Sequence, residues 1–439
     1  MTRGDRPKID LMLKIKELVT ATATRFFAPL ENVYPKSERK YNCSVLSDLD
    51  YTVLGILRCL THSKTGHEFL QDHAEKGGRD ENPDLFFKAL KSKRRLKNLT
   101  SSNDALASMM ADKTPDPLAA FPELKGYHFF AADGHYQQAA CFDAPKPSRK
   151  GLQKIATGHF FRVNLRSHHL SHLDLSRPVD GKKKDHDATI IKRATIKTLR
   201  YQMKTGEKAV YFWDKACIDY QTWHGLKQNG IYFVTREKTN SALQAISENN
   251  LDHSTSRNEG ILSDILVGND SSGTLRRIIY QDPSDEKIYT YLTNELRLPA
   301  WAIALGYKHR WDIEKIFDQF KNKMEERKSW ASSENAKESH GLFECLAHNL
   351  SLLLEEKIKQ DENLTDEREK EKKERRQKTR RNREGKLLVP TSNFINQVFT
   401  RATQRTVRYL RWLRNWLYRE APWSQALARL TKVWGSSTG

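Results

Sequence analysis

Cysteine is scarce and scattered in this chain. The five present, Cys43, Cys59, Cys141, Cys217 and Cys345, form no CxxC pair. Their spacing offers neither a zinc site nor a disulfide framework, so they read as reduced, structural thiols. Long apolar runs are missing too: no stretch approaches the roughly 18 consecutive apolar residues of a membrane span. The N-terminus, MTRGDRPKIDLMLKIKELV, carries charges through its first apolar positions, unlike a secretory signal, and a cytoplasmic protein is expected. No G-x4-G-K-[ST] loop is present to cradle a nucleotide. Negative charge is in deficit, with 55 Asp+Glu against 75 Lys+Arg and a formal charge of +20. Such an excess implies a polyanionic partner, usually nucleic acid for a soluble chain. It does not by itself imply chemistry, and an architectural or ribosome-associated protein would share it.

The 439 residues are enough for two or three domains and at least one sizeable core. Residues 1–115 read as a helical region. LMLKIKELVTATATRFFAPL and LSDLDYTVLGILRCLTHSKTG are apolar-periodic, the latter opened by Ser47 as an N-cap. DLFFKALKSKRRLKNLTSSNDALASMM sets Lys91, Lys93, Arg94, Arg95 and Lys97 beside aliphatic residues. That pattern suits a DNA-binding helix or a solvated face, without a clear helix-turn-helix. The Pro-containing DKTPDPLAAFPELKG is a linker.

From 125 to 350 the pattern turns to α/β. YHFFAADGHYQQAA, HFFRVNLRS, HHLSHLDLSR, KAVYFWD, IYFVTREK and KIYTYLTN read as strands. HDATIIKRATIKTLRYQM and TWHGLKQNG read as helices, and one long helix, LPAWAIALGYKHRWDIEKIFDQFKNKM, comes late. This is the order of a sheet domain, with a β-rich insertion at about 239–297. Residues 360–390 form a charged linker able to touch phosphates. Residues 391–439 form a helical C-terminal region in which Trp412, Trp416, Trp423 and Trp434 interleave with arginines. That stripe suits self-association better than a membrane surface.

The most specific local pattern lies in the late helix. Tyr307, Arg310, Glu314 and Lys321 stand at offsets 0, 3, 7 and 14, which fall within an arc of roughly 60° at about 100° per residue. An ion-pair-rich exposed face would give the same arc. Asp133, in FFAADGHY, and Asp214, ending KAVYFWD, sit on otherwise apolar strands. An acid there costs desolvation energy unless it is paired or holds a metal.

With those residues in place, the sequence resembles the bacterial insertion-sequence transposases of the Asp-Asp-Glu class, specifically the insertion sequence 4 family. YKHRWDIEKIFDQFK matches the hallmark Y-x2-R-x3-E-x6-K at all four positions. Asp133-Gly134, the strand-end Asp214, the YFVTREK strand and the YLTN strand resemble that family as well, over about residues 125–350. One departure concerns the second acid. The family commonly follows it with a Gly-containing turn, whereas Lys215, Ala216 and Cys217 follow Asp214, which leaves Asp219 as a fallback.

The resemblance implies an RNase H-like catalytic domain with a β insertion before its last helix, flanked by helical regions. It implies Asp133, Asp214 and Glu314 as the catalytic and metal-binding acids. Three such carboxylates need cations against their mutual repulsion, and two Mg²⁺ ions, with Mn²⁺ as a substitute, suit oxygen ligands. Arg310 and Lys321 would hold phosphates beside the scissile bond. Tyr307 would meet a phosphate or sugar, Trp311 would stack on a base, and Tyr289 would receive an unstacked base or, more simply, pack in the core. The implied activity is cut-and-paste transposition by a homodimer or higher multimer on terminal inverted repeats and target DNA, in a nucleoid-associated bacterial protein. An RNase H-like nuclease without strand transfer and a domesticated, non-catalytic DNA-binding protein are the alternatives.

Overall fold

A computed structural model describes residues 21–35, 46–61, 65–76, 78, 82–148, 151–177, 187–215, 218–283, 286–322, 324, 328–362, 375, 379, 394–397, 403–419 and 421–434. The charged run at 366–386, apart from Arg375 and Thr379, the first twenty residues, and the Ala216-Cys217 turn lie outside them.

One sheet organises the described chain. Strands β1 (Tyr127–Gln137), β4 (Thr157–Asn164), β5 (Leu170–Leu175), β6 (Lys208–Phe212), β7 (Ile231–Arg236), β8 (Gln244–Glu248), β9 (Ile261–Gly268), β10 (Leu275–Gln281) and β11 (Ile288–Thr293) are ordered β5-β4-β1-β6-β7-β11-β10-β9-β8. β1, β6 and β7 are mutually parallel, and every other neighbouring pair is antiparallel. The strands from β8 to β11 fall inside the span 239–297 and extend the same sheet rather than forming a separate one. A small hairpin, β2 (Lys146–Ser148) with β3 (Gly151–Gln153), stands apart between β1 and β4.

The central strands are covered on both faces, which explains why they read as near-continuous apolar runs rather than alternating ones. Phe130, Ala132, Ala209, Tyr211, Trp213 and Phe233 face one layer, where Trp223 of helix α8 (Tyr220–Lys227) packs in the crossover from β6 to β7. Phe129, Ala131, Phe161, Phe212 and Val234 face the other. There they meet α9 (Ala300–His309), α10 (Trp311–Asn322) and α11 (Glu334–Asp361).

The N-terminal helices are α1 (Ala21–Val33), α2 (Asp48–Leu60), α3 (Gly66–Glu75), α4 (Pro83–Ala89) and α5 (Lys93–Lys113). Ser47 caps α2 by accepting from Asp50 N at 3.0 Å. These helices share one continuous core with α11 and the sheet. The basic run of α5 differs from its sequence reading: Arg94 and Arg95 both grip Asp48, and Arg95 also donates to Leu46 O at 2.7 Å. Only Lys91, Lys93 and Lys97 of the five cations remain exposed and unassigned to that acid. A partner 46 residues away in sequence leaves no trace in a local pattern.

Two short helices, α6 (Asp187–Arg193) and α7 (Ile196–Leu199), precede β6. The C-terminal helices are α12 (Phe394–Gln397), α13 (Thr403–Leu417) and α14 (Trp423–Trp434). Their aromatic stripe is covered within the chain. Trp412 and Trp416 are buried, α13 and α14 pack on α1, and the Arg25 guanidinium lies 4.4 Å from the Trp423 ring centre. Self-association therefore does not need these buried faces. Among the described residues no helix is long and apolar enough to cross a membrane.

Candidate active site

The register of the sheet brings the chemistry together. Ala131 of β1 pairs with Phe212 of β6, and Phe212 with Val234 of β7. Two residues further along each parallel strand stand Asp133, Asp214 and Arg236. Side chains alternate along a strand, so all three sit at one level on the face that carries the helices. Tyr291 of β11 pairs with Arg236 and continues the row. Trp213 N still donates to Val234 O at 3.0 Å, which holds the chain in sheet geometry up to Asp214.

The helices are brought down onto this row by Gly306, where a Cβ would overlap the Phe212 ring. Tyr307 then lies against Tyr291, with ring centres 4.8 Å apart. The single long helix expected from the sequence is two: α9 ends at His309 and α10 begins at Trp311, with Arg310 at the junction. Below the junction His309 Nδ1 meets Asp312 Oδ2 at 3.2 Å, and Lys315 Nζ meets the other oxygen at 2.8 Å. Burial alone would raise Asp312, but the hydrogen bond and charge of His309, with Lys315, hold its carboxyl well below the usual range.

Arg310 is the centre of the site. It is 5% exposed. Its Nη2 donates to Glu314 Oε1 at 2.8 Å and its Nη1 lies 3.6 Å from Asp133 Oδ2. Burial works against its charge, and Tyr307, Glu314 and Asp133 more than offset that cost, so its pKa moves up. Yet Nε and Nη1 find no hydrogen-bond acceptor among the described residues. A buried donor left unmatched costs about 1–3 kcal/mol, more on a charged group. Tyr307 is pushed up to about 12 by burial, against the pull of Arg310, with Asp214 adding to the rise.

The remaining residues named from the sequence sit around this centre. Trp311 is 53% exposed, with the Arg310 guanidinium 5.5 Å from its ring centre. Lys321 is exposed on the last turn of α10. Tyr289 is half-buried, its ring parallel to Tyr291 at 6.3 Å, with Arg236 5.0 Å above it. Asp219 belongs to another role: it caps α8 through Thr222 N at 2.9 Å and pairs with Lys192 at 2.6 Å. Arg236 escaped the sequence reading. Its only signal was its place in IYFVTREK, which acquires meaning once the strand register is known.

The donor set of Asp133, Asp214 and Glu314 is all carboxylate, the type a hard divalent cation takes, and the two strand acids share a level. As arranged, however, the acids do not form a ligand cluster. Among the described residues no three His, Cys, Asp or Glu side chains are grouped to hold a metal. Arg310 supplies the counter-charge between Asp133 and Glu314 instead.

The chain is similar to known transposases over part of its length. Residues 143–350 match the family model described as Transposase DDE domain. The match takes in Asp214 and Glu314 but begins after Asp133. A curated protein of Sinorhizobium fredii (strain NBRC 101917 / NGR234), named "Putative transposase y4zB", is 31% identical over 134 residues. That alignment covers 29% of this chain and 37% of the relative's length. With Asp214 and Glu314 inside the matched span, residues 143–350 are similar to the transposase DDE domain.

Proposed function

We propose that this protein is an insertion-sequence transposase of the insertion sequence 4 family, with an RNase H-like catalytic domain. It would cut DNA at terminal inverted repeats and join the ends to target DNA, acting as a homodimer or higher multimer. The observation that carries the reading is the buried Arg310 guanidinium, whose Nε and Nη1 are unmatched beside the acidic row. A fixed planar fork with open donors fits the oxygens of a phosphodiester.

Asp133, Asp214 and Glu314 would hold Mg²⁺, two ions in all, with Mn²⁺ as a substitute. When bound, such ions activate an attacking water or 3′-hydroxyl and stabilise the leaving oxygen. Arg310 would fix the scissile phosphate against the row, and its bond to Glu314 would keep that carboxylate oriented. Arg236, level with Asp214 and exposed, would take a neighbouring phosphate. Lys321, further along α10, would take another. Trp311 offers an exposed face for an unstacked base, while Tyr289 packs on Tyr291 and supports Arg236. No protein nucleophile and no nucleotide cofactor are needed, since one phosphodiester is exchanged for another.

Glu314→Gln tests the reading. The amide keeps an oxygen that can accept from Arg310 but loses the carboxylate charge. Mg²⁺-dependent cleavage of a donor end should fall by more than the ~10²–10³-fold that loss of one transition-state donor costs, with duplex affinity retained. Surviving cleavage would remove Glu314 from the site. A joining assay on pre-cut ends then separates a transposase, which links them to target DNA, from a nuclease, which does not.

A further inference from the structure

We propose that the β2–β3 hairpin and the loop leading into it form a second DNA contact, which receives the duplex beyond the catalytic corner. This rests on the DNA-cutting reading above. Two apolar side chains are offered to solvent here: Phe142 is 92% exposed and Leu152 73%. Phe142 is covered by almost nothing within the chain, so its ring is open to a partner. Among the described residues, Lys154 and Lys328 both reach Cys141, next to Phe142, and Lys146 lies on β2, against the one acid Asp143. That acid is already engaged, accepting from Ala140 N at 2.8 Å and Lys337 Nζ at 3.0 Å.

Lys154 donates to Cys141 O and Lys328 to Cys141 Sγ at 3.0 Å. Each ammonium has three donors, so both lysines remain able to meet a phosphate while bracing the loop. An exposed aromatic ring flanked by ammonium groups fits duplex DNA. The lysines, with Lys146, would take backbone oxygens, and Phe142 would lie against deoxyribose or wedge between base steps.

The position fits as well. β1 carries the chain directly from Asp133 to the loop, and Ser329 N donates to Gln138 O at 2.9 Å. Gln138 also bridges Lys328 in parallel, so the hairpin is tied to the segment that follows α10. Five strand steps take the chain from Asp133 to Gln138, a reach of about 17 Å, so the loop and hairpin begin well outside the acidic row.

The test uses the full chain on a donor-end duplex without divalent metal. Binding is followed by fluorescence anisotropy from about 50 to 200 mM salt, together with hydroxyl-radical footprinting. Lys146→Ala/Lys154→Ala should reduce the log–log salt slope by roughly 1.8. Phe142→Ala should weaken binding several-fold at unchanged slope, and both should lose protection on the duplex away from the cut while keeping it at the cut. If the lysine pair does not fold, Phe142→Ala with Leu152→Ser carries the test. Wild-type affinity, slope and footprint in these variants would overturn the hairpin contact. So would an altered oligomeric state in sedimentation with DNA binding intact, which would give the surface to a second copy. If the wild-type chain itself bound no DNA, the underlying transposase reading would fall instead.

Discussion

Two buried arginines make opposite use of the same chemistry. Arg95 lies under the N-terminal helices, donating to Asp48 at 3.0 Å and Leu46 O at 2.7 Å, with its guanidinium 4.8 Å from the Tyr51 ring centre. Arg310 is as deeply buried, yet two of its nitrogens have no acceptor among the described residues. The first is a finished structural joint. The second leaves desolvated donors that the proposed phosphate would meet. Burial does not distinguish the two arginines; the matching of their donors does.

The comparison breaks most visibly in stability. Arg95→Ala strips Asp48 of a buried partner and should cost about 3–5 kcal/mol, read as a lower urea midpoint. Arg310→Ala removes an imperfectly paired charge together with its unmatched donors and should lower the midpoint less than Arg95→Ala does. Its loss should appear instead as cleavage reduced about 10²-fold or more. Equal destabilisation by the two substitutions would make Arg310 structural.

Acid tests the dry end of the same sheet. The row through Asp133 continues into Phe161 of β4 and His172 of β5. His172 Nε2 lies 3.3 Å from His159 Nδ1; His159 is buried against His340 and His172 is half-buried. Burial pulls His172 down to about 4 and holds His159 well below its usual value. The unfolded chain, titrating near 6.5, therefore binds more protons between those values. Stability should be complete above about pH 6.5 and fall as pH drops towards 4, with His172 alone contributing on the order of 3 kcal/mol. His172→Gln should flatten the profile. A urea midpoint constant from pH 7 to 4.5 would mean that these rings charge freely in the fold.

The smallest effect concerns Trp311. Trp311→Ala should weaken binding of a donor end with an unpaired terminal base by about 1–3 kcal/mol and leave thermal stability unchanged, because half of the ring already faces water. An equal loss on fully paired DNA would argue against stacking.

Much of this was legible in the residues. β1, β4, β6 and β7 announce themselves as aromatic and β-branched runs because both faces are covered. Glu314 and its neighbours fall on one arc because residues three, four and seven apart share a helix face. Other features depend on contacts the chain makes far from home. The break at Arg310 is invisible to a wheel drawn on a straight helix. Capture of Arg94 and Arg95 by Asp48, and of Trp412 and Trp416 by the interior, cannot be read from amphipathic pattern alone. Arg236 has meaning only through a register that parallel neighbours set.

The packing of α13 and α14 on α1 has a consequence in time. Arg25 and Trp423 are about 400 residues apart, so at roughly 5–20 residues per second a ribosome needs on the order of 20–80 s to deliver the second after the first. Throughout that interval Phe26, Phe27 and Leu30, all fully covered in the finished protein, lack the α13–α14 part of their covering. The newborn chain is then a ready client for a chaperone. Shortening it at the C-terminus should lower the yield of folded protein by uncovering its N-terminal helix, far from the proposed active site.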